Sequence, residues 1–178
     1  MKIIIASDLH GSAYYTEKLV QVFEESKAEK LILLGDIYNH GPRNPLPKDY
    51  SPSKVAEMLN KIKENLIVVK GNCDSVVDTM ISEFDFLDNA TLLVNGKTIF
   101  LTHGHVYNKD IMPKTKFSVV IYGHFHTGFI SHQNGVIVAN AGSISLPKNN
   151  TPNSYLVLDE DLLALKDFEG NIIAEQKI

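Results

Sequence analysis

The chain has 178 residues, 44% of them hydrophobic, and a formal net charge of −4 at pH 7. This length is sufficient for one compact domain that buries most of its apolar surface, and we expect a single domain over residues 1–178. The acidic balance, with no run of lysine or arginine, argues against a protein that neutralises nucleic-acid phosphates, so no stable nucleic-acid complex is expected. Cys73 is the only cysteine, which excludes an internal disulfide.

The amino-terminal stretch MKIIIASDLHG contains no apolar segment long enough to be a signal peptide or a membrane span. No linker, low-complexity tract or repeated block interrupts the rest of the chain. We therefore expect a soluble, cytoplasmic protein that does not insert into a membrane.

The first half of the chain alternates between predicted strands and predicted helices. Apolar runs predict strands at residues 2–6, 31–34 and 66–70. Between the first two, apolar residues at helical spacing predict a first helix at residues 16–25. The segment NHGPRNPLPKDYSP (39–52) is predicted to be an irregular loop, because proline cannot donate ladder hydrogen bonds. A second helix follows it, capped by Ser51 or Ser53. This order predicts two successive β-α-β units.

The second half contains hairpin signals instead. Asn95-Gly96 lies between apolar runs at 91–95 and 98–102, and Asn134-Gly135 lies between runs at 129–132 and 136–140, as is typical of β-hairpins. Further strands are predicted at 118–122, 154–158, 162–167 and 171–176. A parallel half followed by an antiparallel half has too many strands for one flat sheet, so we predict an α/β sandwich.

Polar residues that can bind metal ions follow five of the predicted strands. They are Asp8, His10, Asp36, Asn72, His103, His124 and His126. In α/β sheets, ligands bind outside the carboxyl ends of the strands, where rigid strands position the loops. Side chains two apart on an extended segment point the same way, so we expect Asp8 to converge with His10, and His124 with His126.

Each of these residues also has an ordinary structural explanation. Asp8 and Asp36 could cap turns, and Asn72 after a glycine could adopt a left-handed turn conformation. The histidines could be polar turn residues or lie half-buried on an edge strand. Taken singly, these explanations are as good as metal binding, but the joint occurrence of four histidines, two aspartates and an asparagine at strand ends favours one shared site.

The chemistry of these side chains suits a pair of divalent metal ions. Oxygen and imidazole ligands without thiolates match Mn²⁺, Fe²⁺, Ni²⁺ or Zn²⁺, and one carboxylate can bridge two ions about 3.5 to 4 Å apart. Such a pair polarises a phosphoryl group and lowers the pKa of a bridging water towards neutrality. We therefore expect two divalent ions, with Mn²⁺ as the leading candidate and Mg²⁺ as a further alternative.

Five short motifs resemble, in order and spacing, those of the calcineurin-like metallophosphoesterase superfamily: DLHG (8–11), GDIYNHG (35–41), GNCD (71–74), THGH (102–105) and GHFH (123–126). The resemblance spans about residues 3 to 147 and includes NAGSIS (140–145), in which Ala141 replaces the family's usual proline. Within the superfamily, the short length, the loop NHGPRNPLP and the sequence GNCDS most resemble the bacterial YfcE-type phosphodiesterases.

The resemblance implies a four-layer αββα sandwich of two mixed β-sheets flanked by helices. It also implies two metal sites that share Asp36 as a bridging ligand. The first site would consist of Asp8, His10, Asp36 and His126, and the second of Asp36, Asn72, His103 and His124.

Asn72 and four further residues are candidates for contact with the substrate. The resemblance places His105 beside the metal cluster, and Arg43 could clamp phosphate oxygens with its guanidinium or be an ordinary loop residue. Many relatives have a histidine where this chain has Cys73, and a thiol is a poor proton donor, so well-activated leaving groups are expected. Cys73 could equally be a small filler with no role of its own. Asp74 either orients a histidine or caps the next helix, and we favour capping.

The resemblance implies a metal-dependent phosphodiesterase that hydrolyses small phosphodiesters by in-line attack of a metal-bridging hydroxide. A phosphomonoesterase or nucleotidase of the same fold is the first alternative. A non-catalytic protein-binding scaffold is the second, since a retromer subunit shares this fold with an altered metal site. Every expected ligand is present here, which favours an enzyme. The subfamily resemblance also suggests a homo-oligomer, either a dimer or a tetramer.

Overall fold

The computed structural model describes residues 1–178 as two β-sheets, two α-helices and two short 3₁₀ helices. The α-helices are α1 (Ala13–Ser26) and α2 (Pro52–Lys61), and the 3₁₀ helices are Lys63–Asn65 and Val76–Met80. The strands are β1 (Lys2–Ala6), β2 (Lys30–Leu33), β3 (Leu66–Val69), β4 (Phe86–Leu87), β5 (Ala90–Val94), β6 (Lys97–Leu101), β7 (Val119–Tyr122), β8 (Phe129–Gln133), β9 (Val136–Asn140), β10 (Ser154–Asp159), β11 (Leu162–Asp167) and β12 (Ile172–Lys177). Neither α-helix has the length and continuous apolar surface needed to cross a membrane.

The first strands and helices form the two predicted β-α-β units, because β1, β2 and β3 pair in parallel. Helix α1 begins at Ala13 and not at residue 16, since Ser12 is its N-cap and accepts a hydrogen bond from the N–H of Tyr15 at 3.4 Å. Helix α2 begins after Ser51, with Pro52 in the first turn, where its missing N–H needs no partner.

Both predicted hairpins are present in the second sheet. Asn95 and Asn134 have φ values of 49° and 52°, and the turns that contain them join β5 to β6 and β8 to β9. The centre of this sheet is parallel, however, because β6, β7 and β9 run in the same direction. The predicted antiparallel second half is therefore only partly correct, since an apolar run shows that a strand is buried but not which neighbour it pairs with.

The three C-terminal strands return to the first sheet. β10 pairs antiparallel with β1, and β11 and β12 extend the same edge. The seven-stranded sheet has the order β12-β11-β10-β1-β2-β3-β4, and the five-stranded sheet has the order β5-β6-β7-β9-β8. The two sheets thus do not correspond to two halves of the chain.

The inner faces of the two sheets pack on each other, where Ile3 and Ile5 belong to the same buried cluster as Leu101 and Ile121. Helices α1 and α2 cover the outer face of the seven-stranded sheet. The outer face of the five-stranded sheet is covered by segment 103–118, which contains no helix. The predicted sandwich of two mixed sheets is confirmed, and its fourth layer is a loop segment.

The parallel strands of both sheets direct their carboxyl ends to one edge of the sandwich. The N–H of Asp8 after β1 donates to the carbonyl of Gly35 after β2, at 3.1 Å. In the other sheet, the N–H of Gly123 after β7 donates to the carbonyl of His103 after β6, at 2.8 Å. A bond from the N–H of His124 to Asp8 Oδ2, at 2.9 Å, joins the two sets of loops. All seven candidate ligands follow these strands.

Candidate metal centre

Five of the seven candidate ligands have a left-handed backbone. The φ angles are 58° at Asp8, 50° at His10, 55° at Asp36, 64° at His124 and 58° at His126. This conformation costs a non-glycine residue about 1 kcal/mol, and such strain concentrates at functional sites. Asp8 and His10 do meet as predicted, but His124 faces His103 while His126 faces Asp8, and the predicted extended backbone is wrong for both pairs. Each of these residues bends the chain sharply, and the bend directs its side chain to the centre.

Glycines allow the ligand-bearing loops to approach closely. A Cβ at Gly123 would lie 1.8 Å from Ser7 Oγ and 2.6 Å from Asp8 Oδ2. A Cβ at Gly71 would lie 2.2 Å from Asp36 Oδ1. Because no side chain fits at either position, the glycine before Asn72 and the glycine before His124 are required by packing.

Asp8, His10 and His126 form a first cluster. Asp8 Oδ1 lies 3.6 Å from His10 Nε2 and 3.3 Å from His126 Nε2. This oxygen is buried and accepts no hydrogen bond, whereas Oδ2 of the same carboxylate accepts one from the N–H of His124. Buried polar atoms without partners are rare, and a carboxylate oxygen facing two imidazole nitrogens is the environment that a cation requires.

Asn72, His103 and His124 form a second cluster. His103 Nε2 lies 3.0 Å from Asn72 Oδ1 and 3.3 Å from His124 Nδ1. Asp36 lies between the clusters, with Oδ2 3.7 Å from His10 Nε2 and Oδ1 3.5 Å from His103 Nε2. One carboxylate can therefore serve both clusters, one with each oxygen. This grouping coincides with the two ligand sets that the resemblance implies.

Main-chain carbonyls fix the orientation of three of the histidines. The Nδ1 atoms of His10, His103 and His126 lie 2.7, 2.6 and 2.6 Å from the carbonyl oxygens of Asn39, Leu34 and Leu146, respectively. A carbonyl can only accept, so each Nδ1–H donates, and each Nε2 faces the centre and carries a lone pair when its ring is neutral. The donor set of imidazole nitrogens and carboxylate oxygens fits divalent transition metals.

The charges of the buried groups agree with this chemistry. Burial opposes ionisation of Asp8, but the imidazoles of His10 and His126 outweigh it and hold the carboxyl pKa well below its usual range. Burial likewise opposes ionisation of Asp36, and His103 nevertheless lowers its pKa. The carboxylate of Asp36 also raises the pKa of the buried His103 to about 9. Both carboxylates are therefore ionised at neutral pH, and metal binding would require His103 to release a proton.

Asp74 lies behind the two clusters. Its carboxylate accepts hydrogen bonds from the N–H groups of Gly71, Asp36 and Ile37 at 2.7, 2.8 and 2.8 Å. Burial raises the pKa of Asp74 to about 6, although these hydrogen bonds oppose the shift. Neither predicted contact is present: Asp74 does not orient a histidine, and Ser75 is the N-cap of the following 3₁₀ helix. Asp74 instead ties the Asp36 loop to the Asn72 loop.

The segment NAGSIS supports the centre from the other side. The hydroxyls of Ser143 and Ser145 donate to the carbonyl oxygen of Asp8 at 2.8 and 2.9 Å. The side chain of Asn140 donates to the carbonyl of Gly123 at 2.7 Å. These bonds hold the loops of Asp8 and His124 in place, a role that sequence analysis did not assign to the motif.

A cleft of about 710 Å³ opens over Asp36, Asn72, His124 and His126. Its other lining residues are Asn39, Gly41, Pro42, Arg43, Asn44, Cys73 and Lys148. Arg43 and Cys73, two of the predicted substrate-side residues, therefore face the cleft. His105 is exposed and does not line it, although its ring centroid lies 5.4 Å from that of His103.

Sequence analysis missed Lys148, Asn39 and Asn44. Lys148 comes three residues after NAGSIS, and the two asparagines flank the GPR turn of the proline-rich loop. Asn39 belongs to the motif GDIYNHG, which could have pointed to it, whereas Lys148 and Asn44 lie outside the five motifs and carry no such signal. Cys73 is neutral in this environment, because burial and the nearby Asp36 carboxylate raise the pKa of its thiol to about 12.

Comparison with known proteins identifies the family. The profile of the calcineurin-like phosphoesterase superfamily domain matches residues 1–162. The chain is 42% identical over 167 residues to Phosphodiesterase YfcE of Escherichia coli K12, which covers 93% of this chain and 91% of the relative. It is 27% identical over 187 residues to the Probable metallophosphoesterase YsnB of Bacillus subtilis 168, and this match covers 98% of this chain and 96% of the relative.

A solved structure agrees with these sequence matches. The structure described as YfcE, a phosphoesterase from E. coli, superimposes with a TM-score of 0.97 at 40% identity and covers 100% of both chains. The profile match spans most of the chain, and it includes all seven candidate ligands. The protein therefore belongs to the calcineurin-like phosphoesterase superfamily.

Proposed function

We propose that the protein is a metal-dependent phosphodiesterase that hydrolyses small phosphodiesters with two divalent cations. The resemblance to Phosphodiesterase YfcE over nearly the whole chain supports the reaction class. The completeness of the ligand set argues against a protein-binding scaffold of the same fold. Among the candidate ions, Mn²⁺ is our first choice, followed by Ni²⁺, Fe²⁺, Zn²⁺ and Mg²⁺.

One observation carries the proposal. The buried Asp8 Oδ1 accepts no hydrogen bond and faces the Nε2 atoms of His10 and His126, whose Nδ1 atoms are already engaged by carbonyls. A cation satisfies all three atoms together. Asp36, with one oxygen towards each cluster, would bridge to a second cation held by Asn72, His103 and His124.

The cations, when bound, would polarise the phosphoryl group and supply a water of lowered pKa for in-line attack. The protein's own residues would hold the substrate so that its leaving group lies opposite the attacking water. Arg43 lines the cleft and carries a guanidinium whose fork matches two phosphate oxygens. His105 lies beside His103 and His124 but outside the cleft, so it would contact only a part of the substrate that extends beyond the cleft.

The leaving group receives little help from the protein. Cys73 lines the cleft, but a thiol whose pKa is raised to about 12 is a weak proton donor. We therefore expect leaving groups that depart as stable anions, such as aryl oxides. Asp74 takes no part in this chemistry, because its carboxylate is buried against three main-chain N–H groups.

The test is an assay of metal-stripped protein with Mn²⁺, Ni²⁺, Fe²⁺, Zn²⁺ and Mg²⁺ added back singly. Hydrolysis of bis(4-nitrophenyl) phosphate should return with at least one of these ions and exceed hydrolysis of 4-nitrophenyl phosphate. Turnover of the monoester without turnover of the diester would show a phosphatase or nucleotidase instead. No turnover of either ester with any ion would overturn the proposal.

Assembly and location are separate proposals. The subfamily resemblance supports a homo-oligomer, either a dimer or a tetramer, and light scattering on purified protein measures its mass directly. We also propose a cytoplasmic location, which fractionation of the producing cells tests. Both remain predictions independent of the catalytic assay.

A further inference from the structure

Lys148 faces the cleft and has no role in the function proposed above. It lines the same cavity as Arg43, and neither side chain forms an ion pair with a carboxylate of the chain. Asp36 is the only carboxylate in the lining, and it belongs to the metal clusters. Two cationic side chains therefore face the cleft without an anionic partner in the protein.

The backbone at Lys148 is fixed relative to a metal cluster. The N–H of Lys148 donates to the carbonyl of His126 at 2.9 Å, and His126 Nδ1–H donates to the carbonyl of Leu146 at 2.6 Å. The hydroxyl of Thr151 donates to the carbonyl of Lys148 at 2.8 Å. These bonds set the point from which the Lys148 side chain projects over the cleft.

Arg43 projects from a second anchored loop. Asn39 Oδ1 accepts the N–H of Gly41 at 2.8 Å, and the side chain of Asn44 donates to the carbonyl of His40 at 2.9 Å. The carbonyl of Asn39 in turn accepts from His10 Nδ1. Because a guanidinium matches phosphate bidentately, Arg43 suits the reacting phosphate, while the compact ammonium of Lys148 suits a separate anionic group.

The rest of the lining indicates what else the substrate carries. Pro42 is its only apolar residue, so the cleft offers no phenyl or phenol ring for a base to stack on and no aliphatic wall for an acyl chain. Asn39 Nδ2 and Asn44 Oδ1 make no hydrogen bond within the chain, which leaves one donor and one acceptor for polar groups. The lining therefore favours a hydrophilic substrate.

We propose that the non-reacting half of the phosphodiester is a small polar group with its own negative charge, and that Lys148 contacts that charge. The inference rests on the proposed diesterase function and specifies its substrate class. It predicts a preference between two diesters that share a leaving group and differ by one charge.

The probes are 4-nitrophenyl 2-carboxyethyl phosphate and 4-nitrophenyl propyl phosphate, assayed with the metal-loaded protein. The wild type should prefer the carboxylate ester by about fivefold in kcat/KM, as expected for one partly exposed charge contact. Lys148→Gln should abolish the preference and Lys148→Arg should retain it. Lys97→Gln removes an exposed lysine at the amino end of β6, opposite the cleft, and should leave both rates unchanged.

Calorimetry with 3-phosphonopropionate and propylphosphonate measures binding to the metal-loaded protein without turnover. The wild type should bind the carboxylate-bearing 3-phosphonopropionate more tightly than propylphosphonate, and Lys148→Gln should abolish this preference. Equal rates on the two diesters in the wild type, or an equal loss on both in Lys148→Gln, would overturn the inference and leave the diesterase standing. If neither diester is hydrolysed but the binding ratio persists, the proposed function fails and the anion site stands.

Discussion

The Nε2 atoms of His10 and His126 lie 3.1 Å apart, although 116 positions separate the two residues in the chain. Each ring directs Nδ1–H to a main-chain carbonyl, so in their neutral forms both Nε2 atoms carry lone pairs that repel each other. The buried Asp8 Oδ1 lies within 3.6 Å of both nitrogens. This concentration of electron pairs is favourable only with a proton or a cation among them.

Asp36→Asn should separate metal binding from folding. The amide keeps the shape and an oxygen for the N–H of Cys73, which now donates to Asp36 Oδ1 at 2.8 Å, but it removes the negative charge shared by the two clusters. We expect a folded protein with less than one bound metal per chain and no measurable diesterase activity. Elemental analysis and circular dichroism provide the two measurements.

Asp88→Asn is the matched control for this change, because Asp88 is exposed and forms no ion pair. It should keep the metal content and activity of the wild type. Retention of two metals in Asp36→Asn would contradict the bridging role.

Cys73→His should alter the choice between esters. An imidazole at this position of the cleft can donate a proton to a leaving group or to phosphoryl oxygens, which the neutral thiol does poorly. We expect the ratio of diester to monoester turnover to change by about a hundredfold, the lower end of what a positioned general acid contributes. An unchanged ratio would show that Cys73 only fills space.

Cys73 should also react slowly with iodoacetamide in the metal-free protein. Burial and the Asp36 carboxylate raise its pKa to about 12, and only the thiolate is nucleophilic. The pKa of Cys73 is higher in the folded protein than in the unfolded chain. The rate of its alkylation in the folded protein should therefore stay below that in denatured protein, and it should keep rising as the pH is increased beyond 9. A rate that levels off below pH 9 would mean that the thiol is not shifted in this direction.

Asp74→Ala should destabilise the fold and the metal centre together. It leaves the N–H groups of Gly71, Asp36 and Ile37 without their acceptor, which costs about 3 kcal/mol of unfolding free energy. Denaturant unfolding measures this loss, and elemental analysis should show weakened metal binding. Asp78→Ala is the control, because Asp78 caps a 3₁₀ helix by accepting from Ser75 and should cost about 1 kcal/mol with the metals retained. Equal effects of the two changes would contradict this role for Asp74.

Gly123→Ala tests the close packing of the loops. The new Cβ would lie 1.8 Å from Ser7 Oγ, so either Asp8 or His124 must shift, and we expect a lower melting temperature and reduced metal content. Gly135→Ala, in the β8–β9 turn, meets no atom within 4 Å and carries only the cost of its φ of 79°, about 1 kcal/mol. If Gly123→Ala binds metal like the wild type, the loops are less tightly packed than the structure indicates.

The sequence was sufficient for the hairpins, the identity of the clustered residues and every strand except the two-residue β4, because these depend on local patterns. Apolar runs mark buried strands, Asn-Gly pairs mark tight turns, and polar residues directly after strands mark the edge where loops meet. The sequence was not sufficient for strand pairing, so the return of β10–β12 to the first sheet was not foreseen. Pairing depends on contacts between distant segments that no local pattern records.

By itself, the sequence determined which side chains could bind metal and that they follow strands of a sandwich. Only the tertiary structure decided how they meet, through left-handed bends at Asp8, His10, Asp36, His124 and His126. It also decided that Asp74 ties the ligand loops together and that Lys148 lines the cleft. The physical reason is that residue type and spacing fix which interactions a segment can make. The long-range packing of two sheets then selects the backbone angles and the neighbours that bring those interactions about.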